Sequence, residues 1–248
     1  PATYCSPPAE PAVDRFLGPV VGVVPMTVYT DDPRFAAIFL PGKTAERLAP
    51  SDLATPGGQE EQAFLTDLLG SDTGLFTIEV DDLEWPFVLL REFSPRSQYD
   101  QLIELVRSVP GLPHGIASLA GSGDGFHGFK GRSWASPPGN LYLALHLAPG
   151  RPLEGFEVAF TVLAALSVLD ALDQIAPLTG KSRVKWVNDI LVDGAKVAGV
   201  LAYTQSQGDV VNSAVLGIGL NVDTTPEVAP TPFVPHVASV RDFLHSPD

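Results

Sequence analysis

The chain has 248 residues, of which 45% are hydrophobic and 18% charged, a composition that excludes a disordered chain and suffices for one large domain or a core domain with an appendage. Its formal net charge of −14 argues against broad attraction to nucleic acid, and the single cysteine, Cys5, excludes an internal disulfide framework. The N-terminal stretch lacks the basic region and apolar core of a secretory signal, so a reducing compartment, the cytoplasm, is the expected location.

Residues 1 to about 16 are rich in Pro and Ala and read as loose. Val20–Tyr29 is β-branched and apolar and predicts a strand. Ala36–Leu40 is a short apolar run closed by Pro41-Gly42, and Lys43–Glu61 reads as loop. Gln62–Leu69 has helical spacing, with Phe64, Leu65, Leu68 and Leu69 on one face. Leu75–Val80 and Trp85–Arg91 read as strands joined by an Asp81-Asp82 turn. Residues 1–90 hold 4 basic and 14 acidic side chains, against 11 and 15 in residues 91–248. The first stretch is therefore treated as an acidic, Pro-rich appendage to a second unit spanning 91–248.

From Ser94 onward the texture changes. Tyr99–Val109 is amphipathic and predicts a helix capped by Ser97. Ile116–Ala120 predicts a strand, followed by a glycine-rich loop from Gly121 to Arg132. Asn140–Leu147 predicts a strand and Phe156–Ile175 a long helix. That helix contains Glu157, Asp170 and Asp173, a composition for a protein core rather than a bilayer. Ile190–Val192 and Val197–Leu201 predict a hairpin about Asp193-Gly194, and Val210–Leu220 a further strand. Thr224–Pro235 is Pro-rich, and Val237–Leu244 is a candidate helix start. Strands outnumber helices around one long helix, which predicts an α+β fold with a mixed, largely antiparallel sheet flanked by helices.

Four stretches carry chemistry. In the glycine-rich loop, backbone N–H groups can approach an anion, and Lys130 and Arg132 add positive charge; a plain surface loop fits the same residues. No Gly-Lys-Ser/Thr follows, so it is not a Walker loop. In the stretch from Gly131 to Tyr142, Trp134 can stack on a ring or serve as a hydrophobic plug. Lys185 and Lys196 flank the Asp193-Gly194 turn and can converge on an anion, or act as solvated lysines protecting a sheet edge. In Gly217-Ile-Gly219-Leu-Asn221, glycines at a strand end permit close approach, and Asn221 can bond a ribose or a base edge. No metal-ligand cluster is apparent.

GRSWASPPGNLYLAL, KWVNDILVDGAKVAGVL and GIGLNVD, in this order and spacing, resemble the biotin–protein ligase (holocarboxylase synthetase) family of the biotin/lipoate ligase superfamily, over about residues 90–245. The resemblance implies a catalytic domain related to that of class II tRNA synthetases. It implies activation of biotin with ATP and Mg2+ to biotinyl-5′-AMP, and transfer to a lysine on the biotin carrier domain of a carboxylase. Lys185 is then the catalytic lysine, within a motif that includes Asn188 and Asp189. Lys196, Ala198 and Gly199 line the biotin and phosphate region, and Asn221 lies on the nucleotide side. Gly128, Lys130, Gly131, Arg132, Trp134 and Asn140 belong to the loop and strand over the adenylate. No nucleic acid or membrane is expected as a partner, and a homodimer is admitted.

This sequence departs from the family pattern on the acyl side. His127 and Phe129 stand where the loop usually carries arginines. Gly123 takes the place of a glutamine, and Pro95-Arg96-Ser97 that of a Ser-Thr-Asn run. The small barrel domain that follows in many members is not expected within the chain. The alternatives are a divergent member acting as a binding or regulatory module, and a ligase or transferase for lipoate or octanoate.

Overall fold

The computed structural model describes residues 26–49, 65–69, 74–80, 85–230 and 236–244. Cys5, the Pro/Ala-rich start, the Asp81-Asp82 turn, and parts of the Val20–Tyr29 strand, the 43–61 loop, the Gln62–Leu69 helix and the Pro-rich 224–235 stretch lie outside them.

One mixed sheet organises the chain. Its strands are β1 (Met26–Thr30), β2 (Glu46–Arg47), β3 (Phe76–Val80), β4 (Phe87–Ser94), β5 (Ile116–Gly123), β6 (Leu141–Leu147), β7 (Arg151–Pro152), β8 (Ser182–Lys185), β9 (Asp189–Val192), β10 (Ala195–Gln207) and β11 (Val210–Leu220). The order is β2-β3-β1-β4-β5-β6-β11-β10-β9-β8, with β7 pairing β11. Among the described strands only β1/β4 and β4/β5 run parallel, so the expected mixed, largely antiparallel sheet is what forms. The boundary drawn at residue 90 falls inside β4, and β1–β3 continue the same hydrogen-bonded sheet beyond it.

Alternation along the strands sorts side chains onto two faces. On one face, α1 (Pro33–Phe39) covers Val28, Leu90 and Leu119, and α3 (Phe156–Asp173) covers Val200, Ala214 and Leu216. The latter helix is apolar nearly all round, as a helix lying across a sheet requires, although Val158 and Leu166 remain about half exposed. On the other face, α2 (Gln98–Ser108) and the helical turn at 65–69 cover Leu89, Ile116, Ala144 and Val215. Leu65, Leu68 and Leu69 are all fully buried, on the face their spacing predicts. Ser97 caps α2 as expected, its Oγ accepting from the Asp100 N–H at 3.3 Å.

Some boundaries move. Gly121 to Gly123 continue β5, so the glycine-rich loop is shorter than the run of glycines suggests. Helix α3 stops at Asp173, two residues before Ile175. The C-terminal candidate helix reduces to α4 (Arg241–Leu244). Asp193 and Gly194 form the two-residue β9–β10 turn with φ of 47° and 85°, the left-handed pair that Asp-Gly favours. Lys185 lies one strand beyond this hairpin, at the end of β8. Among the described residues, no helix is long and apolar enough to cross a membrane.

His146 on β6 is fully buried. Its Nδ1 donates to the Pro113 carbonyl at 2.9 Å, and Nε2 then accepts from Ser213 Oγ at 3.3 Å, so the ring is neutral. Burial pushes its pKa down to about 4. Below about pH 6.5 the unfolded chain takes up a proton that the folded chain refuses. His146 therefore supports full stability above pH 6.5 and removes it as pH falls toward 4, by an amount on the order of 3 kcal/mol. Urea unfolding at several pH values is expected to show this slope, and His146→Gln to flatten it.

Candidate functional site

A cavity of about 280 Å³ opens on the α2 face of the sheet. Its floor exists because three neighbouring positions on that face carry no side chain. Gly199 on β10 pairs Gly219 on β11, and Gly217 lies two residues further along the same face. A Cβ on Gly219 would stand 2.8 Å from the Trp134 ring, and one on Gly199 2.9 Å from it. A Cβ on Gly217 would stand 2.9 Å from the Tyr99 ring. The two aromatic rings thus lie on bare backbone. Trp134 Nε1 is buried without a hydrogen-bond partner.

The cationic wall comes from the β8–β10 meander. Lys196 Nζ lies 2.5 Å from Asp189 and 5.0 Å from the centre of the Trp134 ring. Asp189 is buried, and Lys185 Nζ approaches its other oxygen at 3.6 Å. One buried carboxylate therefore holds two lysines from different strands. A register shift at Lys196/Ala198 marks a bulge in β10 beside β9, of the kind that re-aims side chains beside sites. Asn188 donates through Nδ2 to the Val200 carbonyl at 3.2 Å, and Asn221 through Nδ2 to the Ala238 carbonyl at 3.1 Å. With Nδ2 engaged, buried Asn221 has Oδ1 left without a protein donor. Trp134 Nε1 lies over the glycine floor, 3.0 Å from where a Cβ on Gly219 would stand.

The acyl-side departures have a structural counterpart. A Cβ on Gly123 would collide first with the Ser94 carbonyl oxygen and then with the Phe126 ring at 2.8 Å, so backbone and Phe126 together fill the space a longer side chain would need. Phe126 packs edge-on against Tyr142, ring centres 5.2 Å apart, and Tyr142 donates to the Pro137 carbonyl. This end of the cavity is aromatic and apolar.

Of the residues singled out in the sequence, Gly128, Arg132, Trp134, Asn188, Lys196, Gly199 and Asn221 line the cavity together. Lys130, Gly131, Asn140, Lys185, Asp189 and Ala198 do not line it. Asp189 and Lys185 adjoin it through Lys196. Ala198 faces the α3 core. Asn140 is buried and committed to backbone: its Oδ1 accepts from Val222 and Thr224 N–H groups and its Nδ2 donates to Thr224 O, which knits the turn after β11. Lys130 and Gly131 sit in a short turn with φ of 62° and 69°. The sequence reading did not single out Tyr99, Tyr142, Gln98 or Asp100. The alternating glycines at 217 and 219 were the available signal, since a bare stripe on a sheet face implies large rings resting on it. The rings' identity was not readable from that stripe. Among the described residues, no group of three or more His, Cys, Asp or Glu is placed to hold a metal ion.

Adding a methyl at Gly219 must displace the indole. Gly219→Ala is expected to destabilise the fold by about 1–3 kcal/mol in urea unfolding, with a change in tryptophan emission. In a double-mutant cycle, Trp134→Ala is expected to recover most of that loss.

Residues 117–221, which contain most of this site, match the biotin/lipoate A/B protein ligase family. The chain is 34% identical over 125 residues to the biotin–[acetyl-CoA-carboxylase] ligase of Paracoccus denitrificans, covering 50% of this chain and 51% of that protein. It is 34% identical over 119 residues to the bifunctional ligase/repressor BirA of Bacillus subtilis, covering 48% of this chain and 36% of that protein. The matches span about half or less of these relatives' length. Among solved structures, the biotin protein ligase of Leishmania major in complex with biotin aligns over 62% of each chain, at 23% identity and a TM-score of 0.49. Over residues 117–221 the chain is thus similar to the biotin/lipoate A/B protein ligase family, and both of these curated relatives are ligases.

Proposed function

We propose that the chain activates biotin with ATP and passes it to a lysine of a carrier domain. The observation that carries this reading is the Lys196–Asp189–Lys185 group beside the glycine floor, inside the segment that matches the family. In the first step a carboxylate oxygen of the acid attacks the α-phosphorus of ATP and pyrophosphate leaves. In the second, the carrier lysine nitrogen attacks the acyl carbonyl carbon and AMP leaves.

Each step moves negative charge past Lys196. Its ammonium, oriented by Asp189, neutralises the carboxylate and α-phosphate as they meet, and Lys185 reinforces that charge through the same carboxylate. Gly128 and Arg132 face the nucleotide from the loop. Asn221 lies on the nucleotide side of the cavity. Mg2+ would supply neutralisation of phosphate charge when bound with ATP. Residues 1–90 are proposed as an acidic appendage whose strands β1–β3 lengthen the sheet. The homologous ligases act on carboxylase components, which makes a carboxylase carrier domain the proposed partner.

ATP–pyrophosphate exchange tests this reading. Exchange is expected with biotin, and Lys185→Ala and Lys196→Ala are each expected to lower it about 10²-fold or more while leaving the fold intact by circular dichroism. No exchange with biotin, lipoate or octanoate in a folded sample overturns the ligase reading. Exchange with octanoate but not biotin moves the substrate to an acid with an apolar end, the alternative that the Phe126–Tyr142 wall favours.

A further inference from the structure

The glycine-rich loop is pinned from outside by one side chain. His127 Nε2 lies 2.9 and 3.0 Å from the two carboxylate oxygens of Asp100. Its Nδ1 lies 3.2 Å from the Gly128 carbonyl oxygen. Neither partner has a proton to give. A neutral imidazole donates from one nitrogen only, so both bonds form together only when the ring carries two protons. His146 is the contrast within the same chain, since a carbonyl on one nitrogen and a hydroxyl on the other suit a neutral ring.

The two ends of this contact are built differently. Asp100 is held in the first turn of α2, where its N–H donates to Ser97 Oγ. His127 sits in a closed ribbon. The Trp134 N–H donates to the Phe126 carbonyl at 2.9 Å, the Gly128 N–H to the Arg132 carbonyl at 2.7 Å, and His127 bridges Ser133. The ribbon's base carries the Trp134 and Phe126 rings that form one side of the cavity.

We propose that Asp100 is a positioning residue: with His127 it forms a proton-dependent latch that holds the glycine-rich loop over the cavity and releases it when the imidazole loses a proton. The latch does not depend on which acid is activated. The groups facing His127 are Asp100 and the Tyr99 ring edge from α2, and the Gly128 carbonyl from the loop. Burial pushes the Tyr99 hydroxyl pKa well up, so that ring stays neutral. Near Asp100, Arg96 is committed to Glu104 at 2.7 Å. Of the loop's own cations, Arg132 donates to the Phe129 carbonyl and Lys130 lies over the Phe129 ring. The hydrogen bond that His127 donates to Asp100 raises the His127 pKa above its ordinary 6.5, against a smaller opposing effect of burial. A raised pKa gives a contribution that is full below about pH 6.5 and lost as pH climbs through the raised value.

The test is trypsin cleavage after Lys130 and Arg132 in the full chain between pH 6 and 8.5, normalised to a free peptide of the same sequence. The normalised rate is expected to rise about tenfold across this range, the scale of one charge-assisted hydrogen bond. His127→Gln and Asp100→Asn are expected to cleave at the fast rate throughout, and Asp100→Glu to restore the pH dependence. A wild-type rate that does not change with pH, or a His127→Gln variant that keeps the dependence, overturns the latch. Should the variants unfold, ¹⁵N titration of the His127 ring in the wild-type chain decides. A ring pKa above 6.5 upholds the proposal; one at or below 6.5 overturns it.

Discussion

The site depends on one constraint: three adjacent positions on one face of the sheet must carry hydrogen in place of a side chain. Gly199, Gly217 and Gly219 leave backbone as the floor, and the rings of Trp134 and Tyr99 take up the space at van der Waals distance. The backbone groups of this floor are consumed by the β6–β11–β10 ladder, so it is flat and apolar. Polar recognition has to come from the rim. There the chain supplies Lys196, Asn188 and Asn221, few groups with distinct directions, which is how small-molecule sites obtain specificity.

Charge is handled by enclosure. The protein carries −14 overall, yet its cavity is edged by lysine and arginine. Asp189 makes this tolerable. A buried carboxylate is costly alone, and Lys196 and Lys185 offset that cost from neighbouring strands. The same carboxylate fixes the lysine ammonium groups in place, so an incoming anion meets positive charge that needs no rearrangement. The aromatic end of the cavity follows another rule. Phe126 closes the space beside Gly123, and the wall it makes with Tyr142 offers shape in place of hydrogen bonds.

Much of the fold is legible because its signals are local. Asp193-Gly194 encodes its turn through the left-handed backbone both residues accept. Ser97 announces α2 by the hydroxyl that caps it, and α3 by its length and apolarity must lie on the sheet. The spacing of Leu65, Leu68 and Leu69 predicts the face they bury. Boundaries were less legible. Glycines at 121 and 123 look like loop, yet they extend β5, because close neighbours at Phe35, Ser94 and Phe126 leave no room for side chains there. The position of β1 beside β4 is likewise a matter of long-range pairing that no local pattern records.

By itself the sequence determined the residue types that could do the chemistry: two lysines about a glycine turn, a tryptophan after a glycine-rich loop, an asparagine after alternating glycines. It also determined the largely antiparallel sheet, because alternation and turn chemistry act between near neighbours. Only the tertiary structure decided which of these residues meet. It put Lys196 and Asn221 on the cavity and turned Asn140 into a brace for the turn after β11. It laid Trp134 on Gly199 and Gly219, and joined His127 to Asp100 across 27 residues. Such contacts form between elements brought together by burial of the shared core, and their geometry is set by packing that no single stretch of chain contains.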